Sequence, residues 1–350
     1  MSRKLIGLLS GIIIICLIIT GVFALGNKEK ITRIEFPTIG GNLPEDITFT
    51  LSQDIIFSDN ITANAQGSTD KIYKLSLQLK NKEERIEKLK KIFKIDTGTK
   101  TDMGEVITFQ NENSTLDINE NGTFSFTRKT TDSSQAVTLS DKECINLAEN
   151  FLKENNLLPD GFFENGVAYE TKTSVNNPKN STVVKKDIYF NRKVDGKIVY
   201  GVSRIIVSVG SNAQINSVYS LYRDFEESPT PIKIKSFDAA FHDLKQLKGS
   251  VRTSDSTKSV EITNVELVYW EDSTPYSKQT HIQPVFHFRG EAIDNKGNKD
   301  DTFEAFVSAI PDDFTSEINE SNSKPIPSDK KQPVKSLKKP SSDELPKKFK

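Results

Sequence analysis

Val265-Glu266-Leu267-Val268-Tyr269-Trp270, Ile282-Gln283-Pro284-Val285-Phe286-His287-Phe288 and Phe303-Glu304-Ala305-Phe306-Val307-Ser308-Ala309 decide the fold class. In each segment the apolar residues recur at every second position: Val265, Leu267 and Tyr269, then Ile282, Pro284, Phe286 and Phe288, then Phe303, Ala305, Val307 and Ala309. A period of two is that of a strand with one face buried. Pro284 has no N–H, which marks an edge strand or a place where the ladder lacks one donor. The cover for the apolar face is expected just upstream, in a helix from Ser236 that carries Phe237, Ala240, Phe241, Leu244 and Leu247 before Gly249 ends it. A helix on an antiparallel sheet is an α+β unit.

The same order reads twice more toward the N-terminus. Ser140 with Glu143 three residues on is a capping box, and Cys144, Leu147, Ala148, Phe151 and Leu152 share one helix face. That spacing makes Cys144 a small core residue and not a nucleophile. Strands are expected around 167–173, 183–192, 199–209 and 213–223, with Ile205, Val207 and Val209 facing a helix and Ile206 and Ser208 facing outward. Further upstream, Asn81 is the expected cap of a helix with Ile86, Leu89, Ile92 and Phe93, followed by strands at 106–109, 115–118 and 123–126. Asn121-Gly122 between the last two is a strong hairpin signal, because both residues tolerate positive φ. The expectation is three tandem units, 72–130, 131–230 and 231–314, preceded by a stalk at 27–71 with short strands.

The first 26 residues read differently. Leu5 to Leu25 is a run of 21 residues without a charge, about 32 Å as a helix and so long enough for a hydrocarbon core of about 30 Å. Arg3 and Lys4 before it favour a cytoplasmic N-terminus and a body outside the cell. The expectation is a single-pass membrane anchor; the other reading is a signal peptide cut near Ala24. Gly7 and Gly11 form a G-x-x-x-G pair suited to helix–helix contact in a bilayer. At the other end, 324–350 holds nine lysines, three acidic residues and five prolines, so 315–350 is expected to be a disordered cationic tail. Its charge suits anionic cell-wall polymers or lipid headgroups.

Over the whole chain, 47 basic and 48 acidic side chains cancel, leaving no global field to recruit nucleic acid. The two cysteines, Cys16 and Cys144, belong to different compartments if the run spans a membrane, so no disulfide is expected. No H-E-x-x-H, C-x-x-C or H-x-H is present, and no G-x-S-x-G elbow or phosphate-cradling glycine loop. His281 and His287 sit about 20 Å apart along one strand, at 3.3 Å per residue, too far to share an ion. Asp294 to Asp301 has the look of a calcium loop, but Lys296 falls on a ligand position, which makes it a hairpin turn. These absences argue against an enzyme, a metal and a cofactor.

What remains is the outward face of the last three strands and the loop beside them. Glu266, Trp270, His281, Gln283 and His287, with Tyr276 in the adjoining loop, are candidate partner-binding residues, since exposed aromatics among polar neighbours make binding spots. The alternative is that Trp270 covers the joint between the second and third units.

The helix-then-strands repeat, with Val194-Asp195-Gly196-Lys197-Ile198-Val199-Tyr200-Gly201 leading into a strand and Ser211-Asn212-Ala213-Gln214-Ile215 after it, resembles the PepSY and thermolysin-propeptide-like modules. Val268-Tyr269-Trp270, Ile282 to Phe288 and Phe303 to Ala309 are similar to the closing segment of YycH/YycI-type regulatory proteins of Gram-positive two-component systems. The resemblance implies a non-catalytic, membrane-anchored extracytoplasmic protein that binds or regulates, an accessory to a sensor histidine kinase. The competing implication is a tethered protease-inhibitor or chaperone-like module acting on an extracytoplasmic protease.

Overall fold

The computed structural model describes residues 31–34, 47–58, 61, 68–129, 135–174, 177–226, 229–272 and 279–316. Three helices lie among them, Lys82–Phe93, Asp141–Glu154 and Phe237–Lys245. Ser140 caps the second as its sequence requires, with the Ser140 and Glu143 side chains each bonded to the other's backbone. Ser236 caps the third by accepting from the Ala239 N–H. Asn81 does not cap the first: its φ of 53° is left-handed and its side chain makes no capping bond.

Among the described residues, two of the seventeen strands pair with each other and the other fifteen form one sheet. Its main path runs Thr230–Lys233, Thr69–Lys74, His281–Asp294, Thr257–Glu271, Lys197–Val209, Ile215–Ser220, Phe124–Arg128, Ser114–Asn119, Val106–Gln110 and Thr99–Asp102. Lys299–Ser308 adds to His281–Asp294, and Thr48–Phe57 pairs parallel with Thr257–Glu271. Asn177–Val194 pairs with Lys197–Val209 and carries Phe162–Ser174 on its far side.

This corrects the expectation of three tandem helix-plus-sheet units. Three helices are there, but the strands of the first and second expected units are hydrogen-bonded to each other, Ser217 to Ser220 against Thr127 to Phe124. Those of the second and third pair in parallel, Val199 to Gly201 against Tyr269 to Glu271. The physical reason is the edge: a unit that stopped at its own last strand would leave a row of unpaired N–H and C=O groups, and joining the edges satisfies them.

Two main cores follow from this sheet. Helices Lys82–Phe93 and Asp141–Glu154 share one, where Leu89, Phe93, Cys144, Ala148 and Leu152 meet Leu116, Phe126, Ile188 and Val207. Helix Phe237–Lys245 covers the other through Phe237, Ala240 and Leu244, over Val265, Phe286, Phe288, Ala305 and Val307. Ile205, Val207 and Val209 face the first core, but Ser208 on the opposite side is also buried, donating to Asp187 and accepting from Ser217. Pro284 lies in a strand paired on both sides, so it marks a missing donor in the ladder and not an edge; its carbonyl accepts from the Ala309 N–H at 3.1 Å. Asp294 closes the hairpin turn by accepting from the Lys296 and Asn298 N–H groups.

The expectation of a single-pass membrane protein is also corrected: no helix among the described residues is long and apolar enough to cross a membrane. The three helices have 12, 14 and 9 residues, against about 20 needed for a span. The run Leu5 to Leu25, with Gly7 and Gly11, lies outside the described residues, as do 317–350. Thr315–Ser316 pairs in parallel with Ile31–Thr32.

Candidate functional site

Cross-strand register places Glu266 opposite His287, Val268 opposite Val285 and Trp270 opposite Gln283, so these side chains share the sheet face turned away from helix Phe237–Lys245. His287 is also in register with Phe306 on Lys299–Ser308, and Arg289 with Glu304. The face expected to be outward is therefore continuous over three strands. It is not open: Ile34 and Tyr200 pack with Val268, Trp270, Val285 and Phe306 in a small core of their own.

The candidate residues follow from that burial. Trp270 is 4% exposed and packs on Phe306 with ring centroids 4.9 Å apart. It lies where Tyr200 and Trp270 are parallel-strand partners, at the join between the two halves of the sheet. Gln283 is fully buried and its Nε2 donates to the Thr32 carbonyl at 2.6 Å, tying the short N-terminal strand across this face. His281 is buried beside Thr280, whose hydroxyl lies 2.9 Å from Nδ1. Tyr276 lies outside the described residues. Of the set, Glu266 and His287 are brought into contact.

His287, 1% exposed, is the chemical centre of the site. Its Nδ1 is 2.9 Å from Glu266 Oε1 and its Nε2 is 2.9 Å from Glu304 Oε1. The ring stacks on Phe306 at 4.3 Å, and the Tyr200 ring lies 4.8 Å from it and 5.0 Å from Phe306. Burial alone lowers the imidazole pKa, but hydrogen bonds and charge from the two carboxylates outweigh it, so the pKa is raised and the imidazolium is favoured. Hydrogen bonding from His287 in turn holds Glu266 and Glu304 below the usual carboxylate range. Burial first, then the Glu266 charge, pushes the Tyr200 phenol up to about 12. Arg289 approaches Glu266 Oε1, the oxygen that His287 also meets, at 3.4 Å, and Arg252 approaches the other oxygen of Glu304, Oε2, at 3.5 Å; both line a shallow cleft of about 530 Å³ beside Asn264, Glu291 and Glu304.

A histidine with both ring nitrogens held by carboxylates has no free ring nitrogen to offer a substrate. It acts as a charged clasp across three strands. The pH dependence follows with its sign: a raised folded pKa means that the contribution of His287 is whole below the ordinary imidazole value of 6.5 and is lost as pH rises through the folded pKa. The lowered pKa values of Glu266 and Glu304 mean that their contributions vanish at the acid end. The parent protein is expected to lose stability as pH rises above 6.5, and His287→Gln to remove that loss. Melting temperatures from pH 5 to 9 for both proteins check it, and parallel curves would sink the assignment.

Two buried polar clusters were not foreseen from sequence. Arg223, 2% exposed at its side chain, donates from Nε to Glu271 Oε1 at 2.9 Å and from its two terminal nitrogens to the Gln279 carbonyl and Oε1, each at 3.0 Å. Asp70 Oδ1 meets Lys197 Nζ at 3.0 Å and the Tyr269 hydroxyl at 3.2 Å. Burial and the neighbouring Asp70 charge raise the Tyr269 pKa. These partners are 48 to 199 residues apart in sequence, so no local pattern marks them. Glu304 was within reach: alternation places it on the His287 face once Phe303, Ala305 and Val307 are assigned inward.

Fold and site together define a mostly-sheet protein with helices over two cores, whose most reactive cluster is closed on itself. Among the described residues no group of three or more His, Cys, Asp or Glu side chains is arranged to hold a metal. No family model matches the chain, and no curated protein matches it. Solved structures that it resembles include an uncharacterized protein from Eubacterium rectale, at 11% identity and a TM-score of 0.34, covering 76% of this chain and 92% of that one. Another is the C-terminal domain of YpeB from Bacillus megaterium, at 12% identity and a TM-score of 0.35, covering 67% and 94%. At these scores neither likeness assigns a family or an activity, and none of these comparisons bears on the PepSY-like or YycH/YycI-type resemblance.

Proposed function

We propose that this chain acts by binding and not by turnover: a non-catalytic binding or regulatory protein. The observation that carries the reading is the double carboxylate lock on His287, which leaves that buried histidine no free ring nitrogen to offer a substrate. Cys144, the one cysteine among the described residues, is fully buried in the first core, and burial raises its thiol pKa. A sensor kinase or a protease is the protein partner this reading allows, and the cationic segment 315–350 adds attraction to anionic polymers.

The test is turnover by the purified chain on panels of peptide, glycan and phosphoester substrates, with and without added divalent metal. No product is expected beyond the buffer rate. Turnover that His287→Gln abolishes, in a variant that still melts cooperatively, would return the protein to the enzymes.

A further inference from the structure

At one end of the sheet three turns or strand ends converge below the last turn of helix Lys82–Phe93. They are the turn at Asn111 to Asn113, the end of Phe124–Arg128 with Lys129, and the turn at Ser211 to Gln214, and they enclose a groove of about 660 Å³. Its walls are polar, in contrast to the apolar pockets that take drug-like molecules. Four basic side chains line it, Lys94, Arg128, Lys129 and Lys185, against one carboxylate, Glu170. Lys185 is answered by Glu170 at 2.9 Å and by Asp187 at 3.4 Å. Lys94, Arg128 and Lys129 have no acidic partner among the described residues; Lys129 reaches only the Asn111 carbonyl, at 3.5 Å.

The remaining lining is amide-rich, with Asn111, Asn113, Gln135, Asn212, Gln214 and Asn216 beside the Tyr219 ring. Amides offer donors and acceptors together, which is what vicinal hydroxyls need.

We infer that this groove binds an acidic glycan, a hydroxyl-rich chain whose carboxylates meet Arg128, Lys129 and Lys94 while its hydroxyls meet the amides. The inference rests on the reading of the protein as a binder and names a site and a ligand class for it. Arg128 supplies charge-assisted, directional bonds to a carboxylate, and Lys94 and Lys129 supply charge.

The experiment uses the full chain, so that the cationic segment 315–350 contributes equally to every sample. Binding of polygalacturonate is measured at low salt beside dextran, a neutral glycan, and poly-L-glutamate, an acid without hydroxyls. The expected result is saturable binding of polygalacturonate, none of dextran, and at least tenfold weaker binding by the Arg128→Gln/Lys129→Gln double variant. Gln214→Ala is expected to weaken polygalacturonate binding while leaving poly-L-glutamate unchanged, which separates hydroxyl recognition from charge. The melting temperature of each variant is read alongside, and Lys129→Gln alone replaces the double variant if that protein fails to fold, with weaker binding than the parent expected and equal binding overturning the assignment. Failure of the parent protein to bind, equal binding by the double variant, or equal affinity for poly-L-glutamate would each overturn the groove assignment. None of these outcomes touches the binding reading itself, which stands or falls on the turnover panel.

Discussion

Glu271→Leu is expected to lower the free energy of unfolding by about 3–5 kcal/mol, because it leaves Arg223 charged and buried without its carboxylate. Glu271 is fully buried and Arg223 nearly so, which puts the pair in the regime where breaking one side costs far more than removing both. The Arg223→Met/Glu271→Leu double variant should recover most of the loss. Urea unfolding of the three proteins checks both statements, and a single variant within about 1 kcal/mol of the parent would show that the pair is solvated. The same spot constrains the backbone: a Cβ on Gly201 would sit 1.9 Å from the Glu271 carbonyl oxygen, at a φ of +87°. Only glycine lets the two parallel strands meet there.

Phe126→Ala is the second large effect, at about 3–5 kcal/mol, the usual loss for a large aromatic removed from a packed core. Phe126 stacks on Phe93 at 4.2 Å, in the core under the first two helices. The chain has one tryptophan, Trp270, which lies on the other half of the sheet and reports on it by fluorescence. Since one sheet joins the halves, the Trp270 signal and the far-ultraviolet dichroism should shift together in this variant. A Trp270 midpoint that stays put while the dichroism moves would mean that the two cores unfold separately.

The local parts of this fold were legible in the sequence. Alternation put Val265, Leu267, Phe286 and Phe288 on one face, the Ser140–Glu143 box placed a helix, and Asn121-Gly122 placed a hairpin, because each is a relation among residues a few positions apart. The joining of the sheet was not, since pairing between Val199 and Tyr269 or between Ser217 and Thr127 depends on chain that returns from 70 or 90 residues away. The site suffered from the same gap. His287 and Glu266 were assigned correctly to one face, but that face read as solvent-exposed because its covers, Ile34 and Tyr200, come from distant segments. Asn81 failed as a cap for a local reason: asparagine is also at home in the left-handed conformation that it adopts there.

The parallel pairing of Thr48–Phe57 with Thr257–Glu271 sets the order of events during synthesis. Phe49 finds its partner Val260 only after 211 further residues have been made, about 10–40 s at 5–20 residues per second. For that interval Leu51, Ile55, Ile56 and Phe57 form an unpaired apolar segment on the nascent chain, the kind of stretch that associates with other chains. Its shelter until the C-terminal strands arrive has to come from outside the fold, so yield in a heterologous host should depend on holdase chaperones more than the melting temperature of the finished protein would suggest.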